Sequence, residues 1–198
     1  MITKANKVTL IAQAIGMYVM HIPLYIFFIV ELFPGLHEDI VKGLIKAALI
    51  LMAVVLPICI ANVVLSIISI FKGETDISKT VMIVKLALIP WYALNFAMCV
   101  IIVALMLNPF MMVGIPVAVA LLLVGTYFCM VITSLPDVAY YLRKVFVKKE
   151  ERITSHRIVT VIFLFIFCLD VIGGINFYRQ NKKAERFTND APTLSESK

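Results

Sequence analysis

Three polar side chains lie in long apolar runs, where they could carry out chemistry: His21, Asn95 and Asp170. If each run is a helix, counting about 1.5 Å per residue from a common end puts them about 20, 22 and 18 Å deep. An imidazole, an amide and a carboxylate in one layer could bind a proton or a cation, or act as acid and base. They could equally hydrogen-bond between helices and hold them together. The sequence therefore predicts a polar site in this layer, with a chemical or a structural role.

Asp170 is the most costly of the three to place in a membrane. An aspartate at the centre of a membrane helix costs about 2.5 to 3.5 kcal/mol, and the fourteen Val, Ile, Leu and Phe residues of its run offset this by roughly 6 kcal/mol. A buried carboxylate also needs hydrogen bonds or an opposite charge. We expect its partner on another helix at the same depth, either His21 or Asn95.

A second candidate is an ion pair inside the membrane between Lys85 and Asp137. Lys85 is about 8 Å from the end of its run, and Asp137 follows Pro136 near the same end of another run. Lys85 could also be partnered by Asn62, or its four-carbon stem could carry the ammonium to the lipid headgroups. The sequence leaves these alternatives open.

The composition indicates the environment of these groups. The chain has 198 residues, of which 62% are hydrophobic and 15% charged, and its mean hydropathy is +1.02. Roughly a quarter of a soluble domain would be charged. The sequence therefore predicts an integral membrane protein. Its net charge of +6 comes from short basic segments that suit a membrane surface, and we expect no nucleic-acid partner.

Five apolar runs are long enough to cross a bilayer as helices, because about 20 residues span its hydrocarbon core. They cover residues 8–33, 44–71, 80–107, 111–135 and 158–178. The predicted fold is an all-α bundle of five transmembrane helices in one domain, residues 1–178. Pro23, Pro57 and Pro90 predict kinks within helices. Residues 179–198 are polar without apolar periodicity, so they are predicted to be a disordered tail.

The basic residues predict an orientation, because Lys and Arg accumulate in cytoplasmic loops. With a cytoplasmic N-terminus, five crossings put ten of them inside and seven outside, and Lys85 lies within the membrane. Six of the ten lie in residues 143–157, which we expect to attract anionic lipid headgroups. This predicts a multi-pass protein of the cell membrane with its C-terminus outside.

Small residues at helical spacing predict places where helices approach closely. Gly114, Ala118 and Gly125 follow one face of the fourth run, while Gly173 and Gly174 lie one turn beyond Asp170. We expect these five positions to pack against neighbouring helices.

The cysteines suggest no further chemistry. Cys59, Cys99, Cys129 and Cys168 all lie in apolar runs, and none forms a Cys-x-x-Cys pair. We therefore expect buried thiols, with no disulfide framework, metal site or cofactor.

Short motifs occur in the last three apolar runs and in the turn between two of them. They are Lys85 with Ile89-Pro90 and Asn95-Phe96, then Asn108-Pro109-Phe110, then Leu169-Asp170-Val171-Ile172. This pattern resembles an uncharacterised family of small five-helix membrane proteins from low-GC Gram-positive bacteria. The resemblance implies the five-helix fold and brings no catalytic residue with it.

Three classes of function fit these observations. A non-enzymatic accessory or interaction protein, associating with another membrane protein or a second copy, is favoured by the small residues and the lack of a catalytic motif. A small transporter or channel-like protein could use the polar layer, although we find no internal repeat of the kind seen in many secondary transporters. An intramembrane enzyme could act on a lipid or hydrophobic substrate through His21 and Asp170.

Overall fold

The computed structural model of the chain describes residues 2–31, 38–72, 77–105, 115–147, 154–166 and 169–190. The helices are α1 (Ile2–Glu31), α2 (Glu38–Lys72), α3 (Ser78–Leu105), α4 (Ile115–Leu142) with a π-helical extension (Arg143–Val147), α5 (Ser155–Phe163) and α6 (Asp170–Asp190). Every described element is helical, so the predicted all-α class is confirmed.

The first four apolar runs form α1 to α4, and prolines lie inside all four helices. Within the described residues, three stretches are both long and apolar enough to cross a membrane: Lys42–Lys72, Ser78–Ala104 and Leu122–Val147. Their outward faces are apolar as well. Leu49, Ile50 and Val54 on α2, for example, are each more than half exposed. Such faces suit lipid rather than water.

The helices pack around an interior that is partly polar. Its apolar part includes Leu10, Met17, Cys59, Leu88 and Trp91. The described cysteines, Cys59, Cys99 and Cys129, are free and buried. Next to this apolar part, Asn62 on α2 donates a hydrogen bond of 2.7 Å to Gln13 on α1. A Cβ at Gly16 on α1 would lie 2.9 Å from Val55 Cγ2 on α2, and together with the Gln13–Asn62 contact this shows that the two helices run antiparallel.

The fifth apolar run does not form one helix, and the prediction of a continuous helix over residues 158–178 is wrong. The run divides into α5 and the start of α6, and the chain turns between them. One cause is a tertiary hydrogen bond: the Ser134 hydroxyl on α4 lies 3.0 Å from the Leu164 carbonyl oxygen, which the end of α5 leaves free. The hydropathy of the run does not indicate such a tertiary contact.

α5 and α6 form an antiparallel hairpin. Arg157 donates a hydrogen bond of 2.8 Å to the Asn181 side chain, and Gln180 donates one of 2.9 Å to Thr160. α6 therefore returns to the end of the bundle where α5 begins. The five-helix prediction separated these two ends by the length of a helix, and the contact contradicts that separation.

The polar segment after Tyr178 also differs from its prediction. α6 continues to Asp190, whereas the sequence predicted disorder from Arg179 onward. The contacts of Gln180 and Asn181 with α5 supply a packing partner that the segment lacks when considered alone. Residues 191–198 of the predicted tail lie outside the described residues.

Candidate functional site

The hairpin brings Asp170 against α3, where its carboxylate meets Lys85. The Lys85 Nζ lies 3.2 Å from Asp170 Oδ2, and the two side chains are 0% and 2% exposed. The ammonium also donates a hydrogen bond of 2.7 Å to the Ser134 hydroxyl on α4. The pair thus joins three helices inside the protein.

The sequence predicted a different partner for Lys85. Asp137 is buried on α4, one turn beyond Ser134, and interacts electrostatically with Lys85. The ammonium donates hydrogen bonds to Asp170 and Ser134. Lys85 therefore has Asp170 as an ion-pair partner, and the predicted partner Asp137 is a second nearby carboxylate. The buried ammonium also contradicts snorkelling to the headgroups.

Asp170 is the first residue of α6, and this position favours its carboxylate. The positive end of the helix dipole and the amides of the first turn stabilise a negative charge there. The Tyr92 hydroxyl lies 3.4 Å from Asp170 Oδ2, a longer and weaker contact. Lys85 and Tyr92 therefore hold the place that the sequence analysis gave to His21 or Asn95.

His21 and Asn95 belong to a separate cluster between α1 and α3. His21 Nδ1 donates to the Met17 carbonyl at 2.8 Å, and its ring meets Trp91 edge-on with centroids 5.0 Å apart. Asn95 accepts a hydrogen bond of 2.8 Å from the Tyr25 hydroxyl. The rings of Trp91 and the adjacent Tyr92 lie 5.3 Å apart, so aromatic side chains connect this cluster to the ion pair.

Two of the predicted packing glycines lie at close approaches beside the ion pair. A Cβ at Gly173 would lie 3.0 Å from the Leu164 backbone nitrogen, so this glycine lets α5 and α6 meet. A Cβ at Gly174 would lie 2.9 Å from Lys85 Cδ. Both positions therefore hold the hairpin close to Lys85.

The predicted seam on α4 has no such support. At Gly125 an added Cβ would meet nothing within 4 Å in the described part of the chain, so the prediction of close packing is wrong there. Gly114 lies outside the described residues, as does the side chain of Ala118.

Sequence analysis missed two members of the site, Tyr92 and Ser134. Tyr92 lies seven residues after Lys85, and this spacing puts both on one face of α3. Ser134 lies three residues before Asp137 on α4, again on one face. Helical spacing from each charged residue was the signal that could have found them.

The arrangement is a buried pair of opposite charges. An ammonium and a carboxylate at hydrogen-bond distance neutralise each other, which lowers the cost of burying both. If a proton or another cation neutralised Asp170, the attraction to Lys85 would weaken. Neutralisation of Asp170 would therefore weaken the contact that holds the hairpin against α3.

In its described part the chain is all-α, with three helices long and apolar enough to cross a membrane and a buried ion pair at the turn of a helical hairpin. The chain belongs to a family of unknown function (DUF6652), whose sequence profile matches residues 9–183. The match includes both members of the ion pair and most of the hairpin, and it agrees with the predicted membership of an uncharacterised family. No curated protein and no solved structure gives a significant match.

Proposed function

We propose that this chain is an integral membrane protein in which α1 to α4 cross the membrane and the α5–α6 hairpin is re-entrant. In this arrangement the hairpin enters from the cytoplasmic side, turns inside the protein, and leaves on the same side. α5 spans 9 residues, about 14 Å, and is too short to cross the hydrocarbon core. Non-helical backbone inside a membrane is tolerated where protein satisfies its polar groups. Here the Ser134 hydroxyl donates a hydrogen bond to the Leu164 carbonyl at the turn.

The distribution of Lys and Arg supports this topology more strongly than the five-crossing one. If the hairpin is re-entrant, both termini lie inside. The Lys and Arg residues of α6 and of the segment after it then count as cytoplasmic. Fifteen of the eighteen basic residues then lie on the cytoplasmic side, two lie outside, and Lys85 is within the membrane. The two outside are Lys42 and Lys46. Such an imbalance is expected of a correctly oriented membrane protein.

The function we propose is that of a small transporter or channel-like protein for protons or small monovalent cations. One observation carries it: Lys85 and Asp170 form a buried ion pair between a membrane-crossing helix and the turn of the hairpin. Ionisable residues inside a membrane are costly and commonly mark an ion pathway. Broken helices whose termini face the site are also common in transporters.

Each side chain of the site has a role in this mechanism. Asp170 takes up the proton or cation, which weakens its attraction to Lys85. The ammonium keeps its hydrogen bond to Ser134 and its interaction with Asp137, so it is not left without partners. The hairpin, held less tightly, can then shift and expose Asp170 to the other side. Return of the Lys85 contact expels the bound cation and resets the site.

Flux measurements with purified protein in liposomes test this proposal. Vesicles containing the protein should dissipate an imposed gradient of H⁺, Na⁺ or K⁺ faster than protein-free vesicles. Asp170→Asn removes the charge at nearly constant shape and should abolish the added flux. Lys79→Met is the control, because Lys79 is exposed at the start of α3 and lies outside the site. Flux equal to that of protein-free vesicles for all three cations would refute the proposal.

A second candidate is the non-enzymatic interaction protein, in which the ion pair serves only as a latch. The observation in its favour is that side chains of three helices supply contacts to both Lys85 and Asp170. Asp170→Asn should then leave associations with a partner protein or a second copy intact, and no variant should alter flux.

The third candidate, an intramembrane enzyme, receives less support. It required His21 and Asp170 to act together. His21 contacts Met17 and Trp91, whereas Asp170 contacts Lys85 and Tyr92.

A further inference from the structure

Three amide side chains inside the bundle form a group distinct from the ion pair. Asn6 and Gln13 lie on α1 and Asn62 lies on α2, and all three residues are 0% exposed. Amides buried so completely normally have their hydrogen bonds satisfied. Here much of their capacity is not taken up by the described protein.

Some polar atoms of these three side chains form hydrogen bonds and others do not. Asn62 Nδ2 donates to Gln13 Oε1 at 2.7 Å and to the Ile132 carbonyl at 3.4 Å. Within the described chain, Gln13 Nε2, Asn62 Oδ1 and both side-chain atoms of Asn6 have no hydrogen-bond partner. Donors and acceptors are thus left over side by side, and none of these side chains carries a charge.

These amides lie along a line that begins at one end of the bundle. Asn6 and Gln13 are two turns apart on the same face of α1, about 10 Å along its axis. The antiparallel packing of α2 puts Asn6 near the level of Ser66 and Ser69, and Arg143 donates to the Ser69 carbonyl at 3.3 Å. That end carries the basic residues that the proposed topology places in the cytoplasm.

The other end of the line approaches the ion pair. Asn62 reaches the Ile132 carbonyl on α4, and Ser134, two residues further along, accepts the hydrogen bond from Lys85. Asp137, one turn nearer the basic end, interacts electrostatically with Lys85. These polar groups therefore lie between the region of Arg143 and the buried ammonium, on α1, α2 and α4.

We infer that Asn6, Gln13 and Asn62 line an inlet that is closed in this structure and that admits water from the cytoplasmic face to the Lys85–Asp170 pair when the bundle opens. Water is the expected occupant of the open inlet because it both donates and accepts hydrogen bonds, as the unpaired amide atoms require. Neutral amides also offer no charge that would select an ion. The inference rests on the proposed topology and deepens the proposed function, since an inlet would give Asp170 access to cytoplasmic protons.

Cysteine accessibility tests the inlet in the full chain after its four native cysteines are replaced. A thiol reacts with maleimides as its thiolate, which forms in water and not in lipid. Gln13→Cys and Asn62→Cys would be compared with Ile15→Cys and Val64→Cys, which lie two residues away on the exposed apolar faces, where the native residues are 59% and 46% exposed. A small, membrane-impermeant maleimide would be added to right-side-out or inside-out vesicles.

The inlet predicts labelling at positions 13 and 62 at least about tenfold faster than at positions 15 and 64, and only from the cytoplasmic face. Equal, slow labelling at all four positions would overturn it, as would labelling from the outer face. If a cysteine variant fails to fold, water-edited solid-state NMR on the unaltered protein in bilayers replaces it. The side-chain amide of Gln13 should then receive magnetisation from water faster than that of Asn95, and equal or slower transfer would also overturn the inlet.

These outcomes are separable from the flux result. Cytoplasmic labelling without cation flux would keep the inlet and remove the transport proposal. Flux without labelling or water transfer would keep transport and remove this inlet as its access route.

Discussion

Replacing either member of the Lys85–Asp170 pair should destabilise the fold, and replacing both should cost less than the two single changes added together. Removing one partner of a buried ion pair typically costs about 3 to 5 kcal/mol, because the other charge stays buried without compensation. Lys85→Met and Asp170→Asn are suitable changes because both nearly preserve shape. Their double variant completes the cycle.

The structure predicts that the two single changes are unequal. Lys85→Met leaves the Asp170 carboxylate with the distant Tyr92 hydroxyl and the start of α6, so the full penalty of about 3 to 5 kcal/mol is expected. Asp170→Asn leaves the ammonium bonded to Ser134 and near Asp137, which should reduce the cost to about 2 to 3 kcal/mol. We expect a coupling energy of about 2 to 3 kcal/mol from the cycle.

The free energy of unfolding can be measured by titrating micelles of the protein with a denaturing detergent. Trp91 is the single tryptophan of the chain and is fully buried, so its fluorescence reports unfolding directly. Lys79→Met makes the same substitution at an exposed position of α3 and should change stability by no more than about 0.5 kcal/mol. Additive single changes, with a coupling energy below about 0.5 kcal/mol, would refute the pairing.

Three further changes test the packing around the site. Gly173→Ala should destabilise by about 1 to 3 kcal/mol, because its Cβ would press on backbone atoms of α5, whereas Gly43→Ala, with open space around it, should be neutral or stabilise by up to about 1 kcal/mol in the same titration. Gly174→Ala should displace the Lys85 stem and lower both stability and cation flux; wild-type values for both would contradict the contact. Tyr25→Phe should cost about 1 to 2 kcal/mol by leaving the Asn95 carbonyl unpaired, and an unchanged unfolding midpoint would show that this hydrogen bond is absent.

The first four helices could be predicted because each follows from a long apolar run bounded by polar residues. The burial of Asp170 could be predicted for the same reason, since a carboxylate within such a run must find a partner. That Lys85 is the partner of Asp170 could not be predicted. The apolar residues from Ile158 to Phe177 are compatible with either one crossing helix or a hairpin. The tertiary contacts of Leu164 and Gly173 favour the hairpin.

That error accounts for the expectation that His21 or Asn95 is the partner of Asp170. A continuous fifth helix puts Asp170 level with these two residues. Once the chain turns before Asp170, the residue lies near Lys85 instead. The basic residues after Tyr178 held a clue, because moving them to the cytoplasmic side makes the charge imbalance much larger.

The central claim is that α5 and α6 form a hairpin that returns to the side from which it entered. Side-specific labelling tests it most directly, with single cysteines at Ser155, Lys183 and Lys42, which are all exposed in the structure. An impermeant maleimide should modify Ser155→Cys and Lys183→Cys from the cytoplasmic face and Lys42→Cys from the outer face. Modification of Lys183→Cys and Ser155→Cys from opposite faces would contradict the hairpin and restore the five-crossing arrangement.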